Sequence, residues 1–74
     1  MEAPEVKAAV GAALRARRVE LGLSQDALAA RAGINRTYIS SAERGLRNLS
    51  LVNLVRLARA LDIPAAGLLE RAGL

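Results

Sequence analysis

Three breaks divide this sequence, and they leave room for little besides a bundle of short helices. Gly22 is followed by Ser24, Gly33 by Asn35, and Gly45 by Ser50 after the short loop 46–49. Glycine ends a helix at low conformational cost, and a Ser or Asn side chain can accept an orphan N–H where the next helix begins. Between the breaks the apolar residues keep helical spacing. Val6, Val10, Leu14 and Leu21 do so in the first segment, where Pro4 suits an early helical position. A second helix is expected over 25–31, a third over 36–44 and a fourth from 51 to about 61. Leu51, Leu54, Leu57, Ala58 and Leu61 share one face of the fourth. Pro64 opens a fifth, with Leu68 and Leu69 as its apolar content. Five short helices with tight turns predict an all-α fold, a compact orthogonal bundle rather than an up-and-down one.

Composition points the same way. Ala and Leu dominate, β-branched residues are few and Tyr38 is the only aromatic, which favours helix over sheet. At 74 residues the chain is one domain, 1–74, and a chain this short buries only about 60% of the surface its unfolded form exposes. It has no cysteine for a disulfide and, without histidine either, no basis for a zinc site. It must therefore lean on helix packing or on a partner subunit. The net charge of +4 suggests a polyanionic partner, although a merely soluble surface accounts for it equally well. No apolar run approaches the ~18 residues of a membrane span, and residues 1–7 lack a signal-peptide layout, so a cytoplasmic protein is expected.

Nothing in the sequence points to catalysis. Glu20, Asp26 and Asp62 show no metal-ligand spacing, and Gly22, Gly33 and Gly45 terminate helices rather than form a phosphate-binding loop. No catalytic residue, metal or cofactor is expected. The informative stretch runs from Gln25 to Arg44. Ala29 follows Gln25 by four residues, Gly33 follows by four more and Ile39 by six. Each has a steric task in a helix-turn-helix. Ala29 is small where two helices cross, Gly33 can take the positive φ of the tight turn, and Leu28, Ile34, Ile39 and Ala42 seal the pair onto a core.

On these residues a resemblance can be stated. Gly22-Leu23-Ser24-Gln25, Leu28-Ala29, Gly33-Ile34, Ile39-Ser40 and Glu43-Arg44-Gly45 resemble the Cro/repressor (XRE-type) helix-turn-helix family. Leu54, Leu57-Ala58, Ala60-Leu61 and Leu68-Leu69 continue the pattern, so the likeness covers roughly residues 10–69. The stretches 35–40 and 43–50 are similar to the controller proteins of restriction–modification systems, small dimeric regulators that time endonuclease expression. The resemblance implies a lambda-repressor-like five-helix domain whose third helix enters the major groove N-terminus first. It also implies a sequence-specific transcriptional regulator acting on its own and neighbouring promoters. An antitoxin or a phage-type repressor would use the same fold and is the alternative.

Residue by residue, the resemblance implies a DNA-contacting set. Gln25, at the start of the second helix, can reach a phosphate, or is simply an exposed amide. Arg36 can pair with guanine O6 and N7, or only neutralise phosphate; Thr37 can contact a base edge or a thymine methyl. Tyr38 is expected against the DNA backbone, with an inward core position as the alternative. Ser41, one turn beyond Thr37, is a weaker candidate of the same kind. Arg47 and Asn48 follow the third helix, either as backbone or minor-groove contacts or as a solvated turn. Arg18 and Glu43 match a structural ion pair between the first and third helices, or are independent surface charges. Arg15, Arg17, Arg31 and Arg44 are expected to be solvated, Arg31 and Arg44 nearest the DNA. Val52 and Val55 lie off the core stripe and, with Leu49, Leu68, Leu69 and Leu74, suggest a homodimer surface, unless the fifth helix covers them. The partners expected are a pseudo-palindromic DNA duplex and a second copy of the chain, with RNA polymerase as a further candidate.

Overall fold

Each break in the sequence is a helix boundary in three dimensions. The computed structural model describes every residue, Met1–Leu74. The helices are α1 (Ala3–Glu20), α2 (Gln25–Ala32), α3 (Arg36–Glu43), α4 (Leu51–Ala60) and α5 (Ala65–Arg71), with no strand. Three of the starts are fixed by side-chain caps. Ser24 Oγ accepts the Ala27 N–H at 3.0 Å, Asn35 Oδ1 the Thr37 N–H at 2.7 Å and Ser50 Oγ the Asn53 N–H at 3.1 Å. Gly33 stands at φ 66°, and this left-handed residue turns the chain from α2 into α3. The ends differ slightly from expectation. α2 runs on to Ala32, α3 stops at Glu43 and α4 at Ala60. The turn after α4 rests on Asp62 at φ 55°, a conformation that a short polar side chain tolerates.

Every helix contributes to one core. Leu14, Leu28, Ile39, Leu57, Leu61 and Leu68 are essentially inaccessible to solvent. Burying a side chain of this size contributes about 1.5–3 kcal/mol, so these six carry much of the stability. α3 lies against α1 and α2, α4 against α2 and α5, and α5 returns to α1. The α1–α3 crossing is made possible by glycine. A Cβ on Gly11 would lie 2.4 Å from the Ala42 carbonyl oxygen and 2.8 Å from that of Glu43. Just beyond α3, Gly45 at φ 75° brings its Cα over Ala8, where a Cβ would be 2.9 Å from the Ala8 Cα.

Three expectations are corrected here. Leu51 is 76% exposed and does not join the α4 core stripe, because it stands in the first turn of the helix, ahead of the part that the other helices cover. Leu68 is fully buried at the centre of the core, so its side chain is not available to a partner. Arg17 is not a solvated charge. Its Nε donates to the Leu61 carbonyl at 2.9 Å and its Nη2 to that of Asp62 at 3.2 Å. Arg31 stays exposed, as expected, and its Nη1 also donates to the Ala60 carbonyl at 3.4 Å. Both cations satisfy carbonyls at the C-terminal end of α4, where the helix dipole favours positive charge. No helix is long and apolar enough to cross a membrane.

Candidate nucleic-acid interface

The N-terminal turns of α2 and α3 are neighbours because the Gly33 turn folds one helix back across the other. Their side chains meet directly. Arg36 Nε lies 3.2 Å from Asp26 Oδ1, with both side chains mostly in solvent. Thr37 follows, exposed in the first turn of α3, while Ile39 and Ala42 face the core. The orphan N–H groups of α3 thus open beside one cation and one hydroxyl, both accessible.

The acid on α3 is withdrawn from this surface. The Glu43 side chain is only 3% exposed and that of Arg18 12%. Arg18 Nε donates to Glu43 Oε2 at 2.6 Å, Nη2 to Oε1 at 2.9 Å and Nη1 to the Leu23 carbonyl at 2.8 Å. The Glu43 hydrogen bond holds the Arg18 guanidinium even more firmly protonated than usual. Gln25 joins this network, its Nε2 donating to Glu43 Oε1 at 3.2 Å. The Gln25 amide is therefore oriented from behind, with its carbonyl oxygen and one N–H uncommitted.

A second cluster lies beside α3. The Arg47 guanidinium stands 4.9 Å from the centroid of the Tyr38 ring. Its Nε donates to Ser41 Oγ at 2.8 Å, and that hydroxyl donates to the Tyr38 carbonyl at 2.9 Å. Ser41 is consequently a buried strut under Arg47, 8% exposed, and not a DNA-facing residue. Its spacing from Thr37 suggested otherwise, but the loop after α3 folds over it. Tyr38 is half-buried under the same cation, between the inward and outward positions expected of it. Arg47 and Asn48 are exposed.

Beside the same loop, Val6, Val10, Leu49, Leu54 and Leu69 line a groove of about 160 Å³ that Arg47 and Asn48 also border. Val52 is 62% exposed and Leu74 50%, whereas Leu49, Val55 and Leu69 are half-buried. Leu46 and Leu51 are also exposed, at 63% and 76%; Leu46 was not singled out in the sequence, and Leu51 was assigned to the core stripe. Leu51 was hidden by its fit to the core period. Asp26, Arg17 and Gly11 were also missed. Only Gly11 carried a local signal, being a glycine inside a run of strong helix formers. Elsewhere, Glu20 accepts from Arg17 at 3.3 Å and also pairs with Arg71; the Arg71 bond above all holds its carboxyl below the usual range.

The comparisons with known proteins agree with this geometry. Residues 14–68 match the model of a helix-turn-helix family, and the chain belongs to that family. It is a helix-turn-helix protein of the XRE type. Among individual relatives it is 41% identical over 70 residues to control protein C.SmaI of Serratia marcescens, covering 95% of this chain and 83% of that one. The fold matches the restriction–modification controller protein C.AhdI of Aeromonas hydrophila with a TM-score of 0.81 at 48% identity, over 82% of this chain and 92% of that one. It also matches the controller protein C.Esp1396I, solved as a tetramer in complex with its natural 35 base-pair operator. That match has a TM-score of 0.84 at 30% identity and covers 90% of this chain and 88% of that one.

Proposed function

We propose that this protein is a homodimeric, sequence-specific transcriptional regulator. It acts as a restriction–modification controller at its own and neighbouring promoters. The observation that carries the reading is the pairing of two features of α3. Arg36 and Thr37 are exposed at its open N-terminus, and its only acid, Glu43, is buried against Arg18. A helix built this way offers hydrogen-bond donors and positive charge to a groove and hides the one carboxylate that phosphates would repel. In the proposed complex Arg36 and Thr37 read base edges. Gln25 and Tyr38 hold the backbone, and Arg47 and Asn48 reach backbone or minor groove. Ser41 is left out of the contact set. The partly exposed apolar surface around Leu49, Val52, Val55, Leu69 and Leu74 joins two copies, without Leu68. Two recognition helices then lie about 34 Å apart on a pseudo-palindrome. The role is regulatory and not catalytic, and RNA polymerase is the further partner such a regulator meets at a promoter. The kinship with named control proteins favours the controller role over an antitoxin or phage repressor.

The reading is tested by titrating the protein onto a selected duplex at several salt concentrations. Only the arginines release counterions, so the log–log slope for a dimer is expected at roughly −3 to −6, at about 0.9 per neutralised phosphate. A slope near zero, or equal affinity for random and selected DNA at moderate salt, contradicts it.

A further inference from the structure

Asp26 stands where a DNA-binding surface has least use for an acid. It is the second residue of α2, its side chain is 80% exposed, and its closest charged neighbour is Arg36 at the head of α3. As stability, the contact is worth little, because an exposed ion pair is screened and costs side-chain entropy. Left unpaired against DNA, its carboxylate would repel phosphate on every sequence alike. Paired, its charge draws the Arg36 guanidinium to one side of the α3 N-terminus. The approach is through Arg36 Nε, the inner nitrogen of the guanidinium, at 3.2 Å. The two outer nitrogens, Nη1 and Nη2, remain available as a fork. Guanine presents O6 and N7 as two adjacent acceptors that match such a fork. A long side chain drawn toward a neighbouring carboxylate samples fewer rotamers, and so loses less rotational freedom on reaching them, than one that swings freely. The other acid of the region cannot compete for Arg36, since Glu43 is committed to Arg18.

We infer that Asp26 is a positioning residue that sets base specificity by aiming the Arg36 fork at guanine. This rests on the reading of Arg36 as a base contact. The carboxylate weakens binding in general and improves discrimination, so its removal moves the two in opposite directions. The experiment compares wild type, Asp26→Asn, Asp26→Glu, Arg36→Ala and the double variant Asp26→Asn/Arg36→Ala. Each is titrated at one salt concentration on a selected operator, on the operator changed at the pair Arg36 reads, and on random duplex.

For Asp26→Asn, affinity for random duplex is expected to rise about 3- to 10-fold as a negative charge leaves. Preference for the cognate pair is expected to fall about 3- to 10-fold. Asp26→Glu restores the preference. In the Arg36→Ala background the Asp26 substitution raises affinity on all duplexes equally. If Arg36→Ala loses the preference but Asp26→Asn keeps it, the inference fails and the base-reading role of Arg36 stands. If the Asp26 effect on preference persists without Arg36, the inference fails because the carboxylate acts by itself. If Arg36→Ala weakens all duplexes alike, the base-reading role falls and the inference with it. Thermal melts keep folding separate, and no large shift is expected because Asp26 is exposed.

Discussion

Glu43 shows how much a single residue can tie together in this fold. Its carboxylate accepts from Arg18 twice and from Gln25 once, almost out of reach of water. Removing one partner of a buried pair leaves the other as an uncompensated charge, which costs more than the pair itself contributes. Glu43→Ala is expected to destabilise the protein by about 3 kcal/mol in urea unfolding. The double variant Arg18→Met/Glu43→Leu is expected to recover most of that loss; if it is as unstable as Glu43→Ala, packing rather than charge explains the defect. The pair was legible only through family resemblance, since 25 residues separate its members. Arg17 was not legible at all, because the carbonyls it caps lie 44 and 45 residues away. The same limit hid the role of Ser41, whose partner Arg47 comes from a loop with no periodicity to read. The exposure of Arg36 and Thr37 was legible because it follows from their place at a capped helix start.

At the scale of helices, the starts were written in Ser24, Asn35 and Ser50, and the structure places a side-chain cap at each. What the pattern did not disclose was how closely the helices approach. Gly11 sits in mid-helix, where alanine is intrinsically better by roughly 1 kcal/mol. Its packing reverses that preference, because a methyl group would meet the Ala42 carbonyl oxygen at 2.4 Å. The obstacle is backbone, which cannot rotate aside. Gly11→Ala is therefore expected to cost about 1–3 kcal/mol by chemical denaturation. A neutral or stabilising effect would mean that α1 can back away from α3 freely. The α4 stripe failed at Leu51 for a related reason: a helical period says which residues share a face, but not how far along the helix the core extends.

The whole molecule has a small core, with Leu49 and Leu69 at its edge and Val52 and Leu74 exposed, a combination that association relieves. Leu49, Val52 and Val55 stand on or just before α4, next to the loop that carries Arg47 and Asn48. An interface there fixes the distance between recognition helices and hence the half-site spacing. Val52→Asp with Val55→Asp is expected to sediment as a monomer, remain helical and lose specific DNA binding. If the variant stays dimeric, the interface lies elsewhere; if it unfolds, half-buried Val55 belongs to the core.

The most direct measurement is selection of bound duplexes from a random-sequence pool, run in parallel with wild type and Arg36→Ala. Wild type is expected to enrich an inverted repeat whose half-sites are centred about 34 Å apart, one turn of DNA. Arg36→Ala is expected to enrich the same repeat with one base pair per half-site relaxed, a loss of about 1–3 kcal/mol of discrimination at that pair. Recovery of no common sequence by the wild-type protein, or of a single unrepeated site, would contradict a dimeric regulator that reads its operator with the N-terminus of α3.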